Sequence, residues 1–427
     1  LRFAGNGDTV LTQRSADPAM FVVAGYRVDL RPENEMNRMF GCATTLLILG
    51  AVNGAALHAQ ETPVQRSEHH AFRIVTVAAD LQNPWSMVWL PNGDMLLTER
   101  PGRLRIIRNG ALLPDPVPGV PEVRARGQGG LLDLALHPDF ANNRLLYISY
   151  SKPNAEGLGT TAVVRGRFEN DRLTNVQEIF EAKAWSNGGD HFGSRLVFDR
   201  NGFLFITVGD RAVTPRGNLE AHPAQDLSNH QGTVIRLHDD GRVPADNPFV
   251  DRPGAQPEIW SYGHRNLQGL AIHPETGDLW ENEHGAQGGD ELNLVQPGRN
   301  YGWPVIGMGV NYGGATIHAS SHREGMEQPV HYWIPSIATS GLLIYMGDRF
   351  PAWQGSFFVG GLAGEQLARI TMDGRRAANV EVVLRGVVGR IRDVRQGPDG
   401  YIYLAIDDRR GGRTPILRLE PVAGNHD

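Results

Sequence analysis

From Thr62 onward one phrase recurs along the chain: a short apolar run, a turn built on Pro, Asn, Asp or Gly, and a second short apolar run. It appears as MVWLPNGDMLLTE (87–99), LALHPDFANNRLLYISY (134–150) and LVFDRNGFLFITVGD (196–210). It returns as LAIHPETGDLWENE (270–283), more loosely as LIYMGDRFPAWQGSFFVGG (343–361), and as VRQGPDGYIYLAID (394–407). Each instance reads as a β-hairpin. The turns return roughly every 50 to 75 residues, with no long stretch of helical periodicity between them. A lone hairpin is marginal in water and needs neighbours to cover its apolar faces. Six such units therefore predict an all-β, single-domain, six-bladed β-propeller. A two-sheet sandwich would bring its turns closer together, about every 8–12 residues. No linker or composition shift divides the chain, so the propeller is expected over 72–422 with 60–71 as a lead-in.

The chain before Thr62 reads differently. Residues 1–35 lack a sustained period and precede Met36, which marks them as upstream of the natural start or as a disordered tail. From Met36 the sequence MNRMFGCATTLLILGAVNGAALHAQ offers an arginine, an apolar run and then small residues up to Ala59. That is the layout of a secretory signal over 36–59, with cleavage expected after Ala59 and a periplasmic destination. The apolar run is short for a membrane span, so no stable membrane insertion of the mature chain is expected. The single cysteine, Cys42, lies within this segment. A mature chain without thiols suits an oxidising compartment and excludes disulfides and thiolate catalysis. A net charge of -6 and the lack of any basic run exclude an electrostatic case for nucleic acid. No Walker loop, zinc spacing or Rossmann fingerprint stands in the right context, which argues against nucleotide use.

Polar candidates cluster at the outer ends of the predicted hairpins. Within 260–304, Arg265 and Asn266 precede a short run that turns at 274–277, and a second run leads into a loop dense in glycine and carboxylates, 284–291. Both outer ends of a hairpin lie on one side, so Arg265 and Gly285 can face one site. Asp190 and His191 follow a glycine pair and precede a strand, and histidine is the commonest general base. At the far end of the same hairpin Asp210 can hold the His191 ring in one tautomer. Taken alone, such a histidine is more often structural, and such an aspartate more often caps a turn. Gln128 sits in GQGG, which permits close backbone approach to a ligand or merely a sharp bend. The 284–291 loop can expose carbonyls and supply Asp290 or Glu291, oxygen ligands of the kind calcium takes, although it is not an EF-hand. Arg390 and Arg392, two apart, share one face of a strand and can clamp a polyanion or line a solvated edge.

Together, GQGGLLDLALHPDF, GGDHFGSRL, VGDR, YGHRNLQGLA, EHGAQGGDELNL, NYGWP and RIRDVRQGPDG resemble the soluble quinoprotein aldose sugar dehydrogenases, the glucose/sorbosone dehydrogenase family. The resemblance runs from about Phe72 to Leu419. It implies a six-bladed propeller that binds pyrroloquinoline quinone (PQQ) and Ca2+ and oxidises an aldose sugar at C1 to a lactone. An external electron acceptor (a quinone, a cytochrome or a dye) would receive the electrons, since no CxxCH haem motif is present. By the same resemblance His191 is the base and Asp210 orients it, while Arg265 and Asn266 contact the quinone carbonyls. Gln128 and Asp190 lie near cofactor and sugar, Tyr312 forms an aromatic wall, and Arg390 and Arg392 face the cofactor carboxylates. The main-chain carbonyls of Gly285 and Ala286 hold the calcium at PQQ, and Glu291 and Tyr301 match a second calcium position. Several members carry a lysine where this chain has Ala363, which leaves the arginine pair to neutralise the carboxylates. Two other readings are a calcium-dependent propeller hydrolase of the lactonase kind and a cofactor-less carbohydrate-binding propeller.

Overall fold

In each recurrent phrase the two apolar runs become paired antiparallel strands. Leu196–Phe198 and Leu204–Val208 show the pattern, with Leu196 opposite Ile206 and Phe198 opposite Leu204. The computed structural model describes residues 63–422, so the expected export signal and upstream extension lie outside the described residues. Every hairpin forms the two inner strands of a sheet, and two further strands follow outward. The inner strands of the six sheets are Pro84–Trp89, Leu131–Leu136, Leu196–Phe198, Leu267–Ile272, Thr339–Ile344 and Arg390–Gln396. This is the six-bladed propeller anticipated from the repeat.

The last blade is closed by the beginning of the chain. Its strand Arg413–Pro421 pairs with Ala71–Gln82, Ile74 lying opposite Leu419. A short strand, Gln65–Arg66, adds a fifth member through Phe72 and Ala71. Part of the expected 60–71 lead-in thus belongs to the sheet. The hairpin phrase carries no signal for this closure, because the pairing partners lie at opposite ends of the sequence.

Six apolar clusters lie one between each pair of neighbouring blades. The strand Met95–Glu99 shows why its run Met95–Leu97 is apolar without a break. Leu96 packs into the cluster shared with the second blade, whereas Met95 and Leu97 pack into the one shared with the sixth. Both faces of a blade are interior, so the polar half of the usual strand alternation disappears. Each leucine so buried contributes about 1.5–3 kcal/mol relative to exposure.

At the axis the inner strands are tied by charge. Arg195 pairs with Asp393 at 2.8 Å and Asp133 at 3.4 Å, and Arg395 reaches Asp133 and Asp393, each at 2.9 Å. Arg195 also donates from Nε to the Gln268 carbonyl at 2.6 Å and from Nη2 to the Arg392 carbonyl at 3.2 Å. Ser86 donates to Asp133 at 2.5 Å. Five blades therefore meet in one buried network of two guanidiniums and two carboxylates. Among the described residues no helix is long and apolar enough to cross a membrane.

Candidate active site

One end of the ring carries the loops that were expected to hold the chemistry. They enclose a cleft of about 410 Å³ whose lining includes His191, Asp210, Arg265, Ala286, Trp303 and Tyr312. Gln128, Asp190 and Arg409 line it as well. The volume lies within the ordinary range for a small-molecule site.

His191 is reached by an unusual backbone. Its φ is 53°, and Ser194, Arg211 and Ala212 also take positive φ values of 85°, 60° and 56°. Non-glycine residues pay sterically for that region, and such outliers gather at functional sites. Gly209 permits the close approach: a Cβ there would stand 2.4 Å from the His191 carbonyl oxygen. The GQGG segment serves a similar purpose, since Gln128 donates its N–H to the Gly189 carbonyl at 2.7 Å. A Cβ on Gly127 would meet that same oxygen at 2.5 Å. The Gln128 side chain then accepts the His191 N–H at 3.1 Å, so it orients the base's own backbone.

The histidine and its expected partner do meet. His191 Nδ1 lies 2.6 Å from Asp210 Oδ1, and both residues are buried. Burial pushes the His191 pKa below its ordinary value and the Arg265 charge adds to this, although Asp210 pulls the other way. Burial raises the Asp210 pKa, but His191 and Arg265 outweigh it and hold the carboxyl below the usual range. The pair is thus a neutral imidazole donating from Nδ1 to a carboxylate, with Nε2 left as an acceptor. The Ala212 N–H also donates to Asp210 Oδ1 at 2.9 Å, and the indole Nε1–H of Trp303 donates to Oδ2 at 2.7 Å.

Arg265 and Gly285 face one site, as the hairpin geometry required. Leu267 pairs with Glu283, and the Arg265 guanidinium donates to the carbonyls of His284, at 3.2 Å, and Gly285. It lies 5.0 Å from the Trp303 ring centroid. Asn266 sits beneath the cleft wall, fully buried, accepting from Gly193 N and Gln268 Nε2 at 3.2 Å each. Its Nδ2 has no partner among the described residues. Asp190 is exposed at the cleft, its carbonyl taking the Arg211 guanidinium at 2.6 Å. Tyr312 stands at the rim, 69% exposed, and so is an edge to the cleft rather than a packed wall.

The two strand arginines point to neighbouring anchors. Arg390 donates to the Leu362 carbonyl at 3.0 Å and pairs with Asp407 at 3.4 Å. Arg392, at a register shift in its strand, donates to Gln268 Oε1 at 2.8 Å and lines a small cavity with Gln128, Trp85 and Phe192. Burial brings the Arg392 pKa down to about 10 despite Asp407, with Arg195, Arg100 and Arg390 adding to the fall. Burial raises the Asp407 pKa, yet Arg392, a hydrogen bond from Asn83, Arg390 and Arg100 together hold it low. Three guanidiniums therefore share that one carboxylate, a wall with surplus positive charge suited to a polyanion. The Nε atoms of Arg265 and Arg392 have no partner among the described residues. Ala363 lies exposed on the turn after Leu362, beside this wall.

The carboxylate loop divides its work in a way that composition did not reveal. Asp290 is used internally: it accepts from Gly285 N at 2.9 Å, Ser336 Oγ at 2.6 Å and Ile337 N at 2.9 Å. It therefore fastens the loop and is not free as a ligand. Glu291 lies opposite Glu283, with Glu281 and His264 adjoining. Burial and the Glu283 charge push the Glu291 carboxyl up to about 8 and raise Glu281 strongly. Glu281 Oε2 has no partner among the described residues. Facing carboxylates with an orphaned oxygen suit a hard divalent cation. The Tyr301 hydroxyl is committed, donating to the Leu294 carbonyl at 2.6 Å and accepting from Gln296 N at 2.9 Å. Only its main chain is available to a cation.

Trp303, Arg100, Arg409, Glu281, Glu283 and His264 were not singled out from the sequence. Glu281 and Glu283 carried a usable signal, two carboxylates two apart in a strand buried throughout. Trp303 and Arg409 carried none, because only the folded loops bring them to the cleft.

The glucose/sorbosone dehydrogenase family model matches residues 81–418. Aldose sugar dehydrogenase YliI of Escherichia coli is 44% identical over 346 residues, covering 80% of this chain and 91% of that protein. The crystal structure of the soluble Escherichia coli aldose sugar dehydrogenase in its apo-form superposes with a TM-score of 0.78 at 42% identity, covering 82% of this chain and 100% of the other. The PQQ-bound aldose sugar dehydrogenase of Streptomyces coelicolor gives a TM-score of 0.67 at 29% identity, covering 82% and 98%.

Proposed function

The chain belongs to the glucose/sorbosone dehydrogenase family, and on that premise we propose that it oxidises aldose sugars at C1 to lactones with PQQ and Ca2+. The observation that carries this reading is the neutral His191 imidazole, held by the Asp210 carboxylate, facing the same cleft as the Arg265 guanidinium. PQQ bound beside it would supply an electrophilic quinone carbonyl to accept a hydride, and carboxylates to match the arginines. The donor set fits such a group: surplus guanidinium charge along Arg100, Arg390 and Arg392, and orphaned nitrogens on Arg265, Arg392 and Asn266. The PQQ-bound Streptomyces coelicolor relative supports the choice of cofactor.

His191 Nε2 takes the proton of the C1 hydroxyl as C1 gives up its hydride, so that the substrate loses two electrons and two hydrogens. Asp210 holds the imidazole tautomer and stabilises the imidazolium that forms. Arg265 places fixed positive charge in a partly desolvated cleft, where such charge acts most strongly on developing negative charge. The carbonyls of Gly285 and Ala286 would hold one calcium ion, and Glu291 with the Tyr301 main chain a second. Electrons then pass to an external acceptor. We also assign residues 36–59 to export, with the mature periplasmic chain beginning near Gln60.

The test is a dye-linked assay on purified protein. Aldose oxidation should require PQQ and calcium together, with a lactone as product. Turnover supported by NAD in place of PQQ would overturn the assignment. For export, the N-terminus of protein recovered from the native periplasm should fall near Gln60; a mature chain that retains residues 1–35 would refute it.

A further inference from the structure

We propose that Trp303 is a positioning residue that sets the basicity of His191 through Asp210, and that its ring places Arg265 in the same act. The proposal deepens the dehydrogenase reading, since it concerns the proton acceptor of that site. Its physical test, however, does not depend on sugar oxidation.

The Asp210 carboxylate has two oxygens with different duties. Oδ1 faces His191 Nδ1 at 2.6 Å and also takes the Ala212 N–H. Oδ2 takes the Trp303 indole N–H at 2.7 Å. Asp210 is fully buried, so without that donor Oδ2 would be a desolvated anionic oxygen with nothing to bond. The carboxylate would also be free to rotate about its Cβ–Cγ bond and tilt the imidazole it holds. The indole therefore fixes the carboxylate plane and disperses part of its charge.

Trp303 is itself well held. Its main-chain N–H donates to the Gly263 carbonyl at 2.7 Å, and its main-chain carbonyl takes Gln225 Nε2 at 2.7 Å. His318 and His222 meet the ring edge-on at 5.4 and 6.3 Å. Its own ring lies 5.0 Å from the Arg265 guanidinium carbon, within cation–π range. One anchored side chain thus contacts both the carboxylate behind the base and the cation beside it.

The charged and titratable groups acting on His191 are Asp210, Arg265 and Asp190, and His284 lies near enough for the His191 charge to act on it. Arg211 lies near the same carboxylates. Removing the indole N–H leaves all of these in place and concentrates the Asp210 charge on the His191 side. A more negative neighbour favours the imidazolium, so the His191 pKa should rise.

Trp303→Phe removes the donor and keeps an aromatic ring beneath Arg265. Histidine ring titrations followed by NMR in labelled, cofactor-free and PQQ-loaded protein should show the His191 midpoint moving up by about one pH unit, a tenfold change in proton affinity. The acid limb of kcat/KM should move by the same amount. In an Asp210→Asn background Trp303→Phe should add no further shift, whereas a merely structural role would act in either background. A His191 titration unchanged by Trp303→Phe, or shifted equally in Asp210→Asn, overturns the proposal. Should Trp303→Phe fail to fold, the wild-type indole N–H signal of Trp303 serves instead. It should track the His191 titration and lose its downfield position in Asp210→Asn, and a signal blind to both would refute the link. Loss of sugar oxidation with the NMR shifts intact would count against the dehydrogenase reading alone.

Discussion

At His191 the backbone accepts a left-handed conformation so that the ring can be buried against Asp210 and still turn Nε2 to the cleft. Replacing it with alanine removes the proton acceptor while leaving the guanidinium wall untouched. His191→Ala should bind PQQ nearly normally, yet reduce it with sugar about 10²–10⁴-fold more slowly in a single turnover. Wild-type rates with the cofactor site full would remove His191 from the mechanism. The sign of the pH dependence follows from the lowered pKa. The base is active when neutral, so kcat/KM should be flat through neutrality and fall only below the ordinary histidine value of 6.5. A limb centred above that value would mean that Asp210, rather than burial, dominates the ring.

Two strand pairs make predictions of their own. Leu279–Glu283 and Asp290–Val295 bring Glu281, Glu283 and Glu291 together, and a divalent cation would relieve their repulsion. Calcium should raise the unfolding temperature of cofactor-free protein and a chelator should lower it. Glu281→Gln should stabilise the calcium-free protein and shrink the gain from calcium. Equal gains in both proteins would place the ion elsewhere. On Arg390–Gln396, each of Arg390→Ala and Arg392→Ala should weaken PQQ binding by about 1.5–3 kcal/mol, the worth of a charge-assisted hydrogen bond. Ala363→Lys, on the neighbouring turn, should tighten it by adding a cation to the same wall. A fluorescence titration with no change in any of the three variants would locate the cofactor away from this wall.

The ring as a whole depends on the first strand joining the last blade. Phe72 is fully buried and packs edge-on against Phe350 and Trp353 at 6.4 and 5.7 Å. Phe72→Ala should cost about 3–5 kcal/mol in unfolding free energy, the usual range for a core phenylalanine. A loss below 1 kcal/mol would mean that the closing strand is dispensable. The axial network makes a parallel case. Arg195→Leu would leave Asp133 and Asp393 sharing Arg395 alone, and breaking a buried pair costs about 3–5 kcal/mol. Unchanged denaturation in Arg195→Leu would show that water or rearrangement compensates the two carboxylates.

Residue order alone determined the blade count and the hairpin ends, because the alternation of short apolar runs with Pro, Asn, Asp and Gly turns is a local property. The same locality made the His191–Asp210 pair and the Arg265–Gly285 approach legible, since a hairpin returns its two ends to one side. Three matters were decided only in three dimensions. The joining of Ala71–Gln82 to Arg413–Pro421 unites strands from opposite ends of the chain. Asp290 went to loop fastening while Glu291 joined Glu281 and Glu283, because neighbouring strand positions point to opposite faces and only the paired sheet shows what each face meets. Trp303 came to Asp210 across 93 residues, through a loop whose path is set by packing against other blades and not by its own composition.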